Sequence, residues 1–159
     1  MSHTLSFPSE YIHFEDYRVG QPVQLDARYR VTQEEIISMA QKWDPQPFHV
    51  DVEAAKQSIF GGLVASSAHA FPIFVYLGQQ QPRKVAAISA LGFDRLRFIQ
   101  PIRPGDELRY EYTCTEKRLS NSRPYAGIVT CECSLFNQRD EEVFSGKVTS
   151  LVQRRDSDN

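Results

Sequence analysis

The chain has 159 residues, of which 41% are hydrophobic and 24% are charged, as expected for one globular domain with a sizeable core. Its formal net charge of −2, without a long basic run, gives no electrostatic support for nucleic-acid binding. The longest uninterrupted apolar run, residues 70–77, is far shorter than the ~20 residues that a membrane-spanning helix needs.

The cysteines indicate a reducing compartment. There are three, Cys114, Cys131 and Cys133, and an odd number without a C-x-x-C pair argues against a disulfide framework or a zinc site. We therefore expect reduced, buried thiols. The N-terminal residues show no charged region followed by an apolar region, so no signal peptide is expected either. Together these features predict a cytoplasmic protein.

The first helix is predicted over residues 33–42. Thr32 and Glu35 fit a capping box at its start, with the spacing T-x-x-E. The helix should end near Trp43, because Asp44 precedes a proline and is biased towards extended geometry. Apolar residues recur within this stretch at helical spacing: Ile36, Ala40 and Trp43.

Two more helices are expected before residue 80. Asp51 is an acceptable N-cap for a short helix over residues 52–58. After two glycines, Gly61 and Gly62, residues 65–79 are apolar on nearly every side. That pattern is typical of a buried helix rather than of one lying on a surface.

The second half of the chain is predicted to form strands. Residues 84–93 and 95–101 come first, and residues 103–106 then form a turn with Pro-Gly chemistry. Apolar and polar residues alternate with period two over 108–115 and 129–135. Residues 137–142 connect a hairpin to a last strand at 143–152. Short turns require antiparallel strands, so the sequence predicts an α+β fold with the buried helix packed on a sheet.

The ends of the chain are expected to lie outside the folded domain. Residues 154–159 form a charged tail, and the first residues are mixed and polar. We predict one domain over residues 14–153, preceded by an N-terminal segment, 1–13, and followed by a polar tail, 154–159.

The stretch WDPQPFHVD, residues 43–51, holds the candidate chemistry. Asp44 and His49 lie five residues apart and could be ~16 Å apart in an extended chain. They can act on one atom only if the segment folds back, and Pro45 suits the first central position of a turn. Trp43 and Phe48 would keep water scarce there, which suits an acid–base pair. On spacing alone, a turn-forming acid and a packed histidine are the more ordinary interpretation.

Three motifs together resemble the MaoC-like dehydratases, a family that includes the (R)-specific enoyl-CoA hydratases. They are DPQPFHVD, FGGLVASSAHAF and the stretch from GFDRLRFIQPIRPGDELRYEY to the hairpin, and the resemblance extends over roughly residues 14–152. The family's Gly-Asp-x-Asn-Pro-aliphatic-His pattern is matched by residues 43–49. Asp44, Pro47 and His49 keep their places, whereas Trp43, Gln46 and Phe48 replace the glycine, the asparagine and the aliphatic residue.

The resemblance implies a fold, an assembly and a reaction. The fold is the hot-dog fold, an antiparallel sheet wrapped around one long helix, in a homodimer or a multiple of a dimer. The reaction interconverts a trans-2-enoyl-CoA and a (R)-3-hydroxyacyl-CoA. Asp44 and His49 would hold a water between them, and the thioester carbonyl would meet backbone N–H groups near Ser66 and Ser67. Gln46 would contact substrate. No metal or separate cofactor is implied, since coenzyme A is part of the substrate.

Several alternatives stay open at this point. Ser66 and Ser67 could serve only as N-caps, and His69 is expected to be a core histidine with a satisfied hydrogen bond. A non-catalytic acyl-CoA-binding dimer is one alternative function. A hot-dog thioesterase is disfavoured, because residues 66–80 contain no acid. Five arginines are candidates for the coenzyme A phosphates: Arg95, Arg97, Arg103, Arg118 and Arg123.

Overall fold

The computed structural model describes residues 6–155, so residues 1–5 of the predicted N-terminal segment and 156–159 of the predicted tail lie outside it. A short 3-10 turn at Phe14–Asp16 precedes five strands and four helices. In chain order these are β1 (Pro22–Arg30), α1 (Gln33–Trp43), α2 (Pro47–Val50), α3 (Val52–Lys56), α4 (Ser67–Gly78), β2 (Ala87–Phe98), β3 (Glu107–Leu119), β4 (Ala126–Phe136) and β5 (Glu142–Gln153).

The five strands form one antiparallel sheet, as predicted for the α+β class. Their order is β1-β3-β4-β5-β2, so β1 and β2 lie at the two edges. The turn between β2 and β3 is the one expected, and Gly105 takes a positive φ of 87° there, a conformation that glycine adopts without strain. The predicted hairpin between β4 and β5 is also present.

Helix α4 is the centre of the core. Phe74 and Leu77 are almost fully buried, and the Phe74 ring lies 4.7 Å from that of Phe144 on β5 and 5.3 Å from that of Tyr110 on β3. A single chain does not cover the whole helix, because Val75 and Tyr76 remain exposed on its outer side. The predicted buried helix is therefore present, with its inner side packed on the sheet and its outer side uncovered in the single chain.

Two strand predictions need correction. Strand β1 was missed, because the first half of the chain has mainly helical patterns. Its signal is nevertheless present, since Val23, Leu25, Ala27 and Tyr29 alternate with polar residues. The residues expected to form two early strands form the single strand β2 instead. It pairs with β5 through three register shifts, one of them between Asp94 and Arg97, where Arg95 has a positive φ of 52°.

The predicted short helices are present, although Trp43 and the Glu35 side chain differ from expectation. Thr32 caps α1 by accepting a hydrogen bond from the Glu35 N–H, and Asp51 caps α3 in the same way. Trp43 is 62% exposed and carries the Lys42 ammonium over its ring, so it does not keep water from the acid–base pair. No helix in residues 6–155 is long and apolar enough to cross a membrane.

The three cysteines are free and buried, as expected. Burial raises the pKa of the Cys133 thiol to about 12 and raises the pKa of Cys114 and Cys131 as well. Because the thiolate is the reactive form, these side chains are packing groups and not nucleophiles near neutral pH.

Candidate functional site

Asp44 and His49 are brought together by two short helical segments. The Asp44 N–H donates to the Ala40 carbonyl and closes α1, and the Gln46 N–H donates to the Asp44 carbonyl at 2.8 Å. Pro47 then begins α2, where its fixed φ and missing N–H suit the first helical position. His49 follows in that single turn. As a result, His49 Nε2 lies 3.6 Å from Asp44 Oδ2, whereas the two residues would be far apart in an extended chain.

The histidine is held in one tautomer. His49 is buried, and its Nδ1 lies 2.7 Å from the carbonyl oxygen of Val64. A carbonyl can only accept, so Nδ1 carries a proton, and in the neutral form of the ring Nε2 is the nitrogen with a free lone pair facing Asp44. Two acceptors 3.6 Å apart suit a water molecule that donates one proton to each, at about 2.8 Å. The arrangement therefore provides a base at Nε2 beside a carboxylate.

The N-terminus of α4 lies at the same place. Ser66 is the N-cap, and its hydroxyl accepts from the His69 N–H at 3.2 Å. The N–H groups of Ser67 and Ala68, in the first turn, have no intrahelical acceptor. They point out of a helix end that carries partial positive charge, which favours an anionic oxygen. Ser66 is thus the N-cap that its sequence suggested, and the start of its helix borders the same cavity as Asp44.

A cavity of about 430 Å³ joins these groups. This volume is within the usual range for small-molecule sites. We call it the acid–base cavity. It is lined by Asp44, Phe48, His49, Phe60, Val64, Ala65, Ser66, Ser67, Ala70, Phe98, Ile99, Gln100, Pro101, Ile102 and Val143. Four of the predicted site residues, Asp44, His49, Ser66 and Ser67, therefore meet in one place.

The connection between β2 and β3 holds the segment that leads into α4, a contact that sequence reasoning missed. The Ala65 N–H donates to the Ile102 carbonyl at 2.8 Å, and Arg103 Nη2 donates to the Phe60 carbonyl at 2.7 Å. Residues 60–66 are thus held from one side by this connection and from the other by His49. No sequence spacing could have indicated contacts between such distant segments.

Gln46 is not brought into the acid–base cavity. It is exposed, it precedes α2 as the N-cap, and its carbonyl accepts from the His49 N–H at 2.9 Å. The structure thus gives this residue a part in shaping the turn.

The arginines predicted to meet coenzyme A are also outside the cavity lining. Arg103 donates a hydrogen bond to the Phe60 carbonyl. Arg95 and Arg97 line a different surface depression, together with Glu132 and Glu142. The contact between these arginines and the phosphates of coenzyme A therefore stays a prediction.

A second titratable cluster lies between α1 and α4. His69 is 2% exposed, and neither ring nitrogen has a hydrogen-bond partner within residues 6–155. Its Nε2 is 3.6 Å from Glu35 Oε2, and Glu35 also accepts a hydrogen bond from the Tyr29 hydroxyl. The prediction of a core histidine is confirmed, but the expectation that its hydrogen bonds are satisfied is wrong, because 3.6 Å exceeds hydrogen-bond range.

This cluster bears on the thioesterase alternative. That alternative was disfavoured because the helix itself carries no acid, yet α1 supplies Glu35 beside His69 of α4. Neither residue lines the acid–base cavity. The pair therefore lies apart from the acid–base cavity, between two helices.

The His69 environment makes folding stability depend on pH. Burial lowers the pKa of the His69 imidazole, and the Glu35 carboxylate partly opposes that shift. The unfolded chain then binds more protons, so the free energy of unfolding should decrease as pH falls below about 6.5. His69→Leu should flatten this dependence, whereas Glu35→Gln should steepen it. Urea unfolding of all three proteins at about pH 7.5 and about pH 5.5 tests this; equal pH dependence in the wild type and His69→Leu would contradict it.

An antiparallel sheet on one long helix, with an Asp/His pair at the start of that helix, defines a hot-dog protein whose site suits acid–base chemistry. Comparison with known proteins agrees. The family model described as MaoC like domain matches residues 14–133. The chain belongs to the MaoC-like dehydratase family, and the predicted hot-dog fold is confirmed.

Individual relatives resemble most of the chain. The crystal structure of the MaoC-like dehydratase from Rhodospirillum rubrum is 38% identical and superposes with a TM-score of 0.80, covering 91% of this chain and 99% of that one. The (R)-hydratase from A. caviae involved in PHA biosynthesis is 25% identical, with a TM-score of 0.65 and coverage of 89% and 99%. The uncharacterized protein YdeM of Bacillus subtilis (strain 168) is 28% identical over 144 residues, which are 88% of this chain and 98% of that protein.

Proposed function

We propose that this protein is a hydratase that interconverts a trans-2-enoyl-CoA and a (R)-3-hydroxyacyl-CoA. The observation that carries the proposal is the 3.6 Å pair of Asp44 Oδ2 and His49 Nε2, with Nδ1 held by the Val64 carbonyl. Support also comes from the likeness to an (R)-hydratase structure. In this reaction water and the thioester are the only reactants, so no metal or separate cofactor is part of the proposal.

The proposed reaction uses these groups in turn. The water held by Asp44 and His49 loses a proton to one of them as its oxygen attacks C3. Electrons of the C2–C3 double bond move to the thioester carbonyl, which becomes an enolate oxyanion. The N–H of Ser67, at the N-terminus of α4, would stabilise that charge. The group that took the proton from the water then delivers a proton to C2 from the same face, so that one water is added in all and the enzyme is restored.

A direct assay tests this function. Purified protein is mixed with a panel of thioesters from crotonyl-CoA to longer trans-2-enoyl-CoA, and loss of the conjugated enoyl absorbance is followed. Conversion of at least one of them supports the proposal. If the protein binds acyl-CoA but hydrates none of the panel, the alternative of a non-catalytic acyl-CoA-binding dimer replaces it.

A cytoplasmic location is part of the proposal and rests on the three free thiols.

The proposed assembly is a homodimer through the β2 edge and the outer side of α4. Strand β2 is an open sheet edge, and an edge with exposed apolar residues invites a partner strand. The exposed apolar residues on these two elements and just after β2 are Val75, Tyr76, Leu91, Phe93, Phe98 and Ile99.

The dimer is expected to give about twice the chain mass of 18.2 kDa in light scattering at micromolar concentration. Leu91→Lys should weaken dimerisation at least about tenfold, because it places a charge on the paired edge. Leu119→Lys is the matched control, since Leu119 at the end of β3 is 52% exposed and Leu91 is 51% exposed. A wild-type species of single-chain mass, or equal effects of both variants, would contradict this assembly.

A further inference from the structure

A second cavity lies further along α4 than the acid–base cavity. Its volume is about 190 Å³, and no residue lines both cavities. Its lining is mostly apolar, with phenol and thiol groups from Tyr17, Tyr110, Tyr112, Cys131 and Cys133. Together the two cavities would form one long space along α4 if the side chains between them were smaller.

Three elements run from one cavity to the other. On α4, Ala70 lines the acid–base cavity, and Phe74, one turn later, lines the second cavity. Two strands also contribute to both cavities. Val143 of β5 and Phe98 of β2 line the acid–base cavity, whereas Val148 of β5 and Phe93 of β2 line the second cavity. The boundary between the two cavities is therefore formed by the side chains of α4, β5 and β2 that lie between these residues.

That layer is aromatic. Phe144 is fully buried, and its ring is 5.2 Å from the ring of Phe98 and 4.7 Å from the ring of Phe74. Leu96 and Phe74 fill the space beside Gly146, where even an added Cβ would come within 2.7 Å of Leu96 Cδ2. We call Phe144 and Phe74 the aromatic partition. It leaves no room for an acyl chain to pass without displacing a packed ring.

We propose that the aromatic partition ends the acyl site and restricts this protein to short acyl thioesters. The inference rests on the proposed hydratase function, which puts the thioester carbonyl at Ser67. From there the chain can run beside Ala70, whose small side chain leaves space along the helix. Ser67 to Ala70 spans about 4.5 Å of helix, roughly four bonds of an extended chain, and Phe74 lies about one turn further on. A longer chain meets Phe74 and Phe144.

The expected selectivity is steep. Further methylene groups would have to enter a closely packed layer, and packed interiors resist added volume. A single misfit methylene changes kcat/KM by roughly 10- to 200-fold in hydrophobic pockets. We therefore expect kcat/KM to be similar for crotonyl-CoA and hexenoyl-CoA and to be at least about tenfold lower for decenoyl-CoA.

Phe144→Ala tests the partition, because it removes a ring that touches neither Asp44 nor His49. The ratio of kcat/KM for decenoyl-CoA to that for crotonyl-CoA should rise at least about tenfold. Phe136→Ala is the matched control: Phe136 lies on β4 against Arg109 and lines neither cavity, so the ratio should stay at the wild-type value. Circular dichroism and a melting curve verify folding. If Phe144→Ala does not fold, Phe74→Leu is used in its place.

The outcomes separate this inference from the proposed function. A wild type that hydrates decenoyl-CoA as well as crotonyl-CoA overturns the inference, and so does a folded, active partition variant with an unchanged ratio. If no enoyl-CoA is hydrated, the proposed function fails, and calorimetric binding of butyryl-CoA and decanoyl-CoA then decides the partition. Tighter binding of the shorter thioester, with the preference reduced in the partition variant, supports it; equal binding by the wild type overturns it.

Discussion

Asp44→Asn and His49→Ala are each expected to lower the rate of enoyl-CoA hydration by roughly 100-fold or more, the scale for positioned acid–base groups. Asparagine keeps the shape of the side chain but loses its charge and basicity. Alanine removes the Nε2 lone pair that the Val64 carbonyl orients from the other side of the ring. Initial rates on the best thioester of the panel measure both effects.

Asp51→Asn is the matched control for the acid. Asp51 caps α3 through its side-chain oxygen and lies outside the lining of the acid–base cavity. The substitution makes the same chemical change as Asp44→Asn, and asparagine is an equally good N-cap, so the hydration rate should stay near that of the wild type. If Asp44→Asn and His49→Ala keep the wild-type rate while remaining folded, Asp44 and His49 are not the catalytic pair.

Ser67→Pro is expected to lower the hydration rate by about 100- to 1000-fold, the range for losing one oxyanion donor. Proline removes the N–H but suits the first position of a helix, so α4 should form normally. The preceding residue, Ser66, already has φ −72° and ψ 161°, the extended conformation that a following proline requires. Ser67→Ala keeps the N–H and should cost little activity.

Gln33→Pro is the matched control for the proline itself. Gln33 is the first residue of α1, and Thr32 before it is extended, with φ −103° and ψ 155°. The substitution removes an N–H at the same helical position, but Gln33 does not line the acid–base cavity, so activity should persist. If Ser67→Ala is as inactive as His49→Ala, the hydroxyl and not the backbone stabilises the reaction, and the oxyanion assignment is wrong. Circular dichroism excludes misfolding as the cause of any loss.

The acid–base pair was only partly predictable from residues 43–49. The residue types, the stiff proline segment and the need for a fold-back all follow from that stretch. The means of folding back does not, because α2 is a single turn, too short for hydrophobic periodicity to reveal. The tautomer of His49 depends on the Val64 carbonyl, which is fifteen residues away. A pattern of spacings carries no information about such a partner.

The same limit explains the errors elsewhere. Trp43 occupies an apolar position in the helical repeat of α1, yet it is exposed, because nothing within residues 6–155 covers the end of that helix. Glu35 fits a capping box, but its carboxylate faces Tyr29 and His69 instead of the Thr32 N–H. In both cases the local pattern was correct, and the packing of distant segments determined what the side chain contacts.

Local sequence was enough to specify the short-range conformations and the chemical groups. These are the caps at Thr32, Asp51 and Ser66, the turn at Gly105, and the candidate acid and base. They depend on interactions within a few residues, which spacing and side-chain chemistry describe well. The 3.6 Å separation of the acid–base pair, the cavity around it and the contact between the Phe74 and Phe144 rings arise from tertiary packing instead. Those features come from contacts between segments far apart in the chain, and burial and distance exist only once the segments have packed.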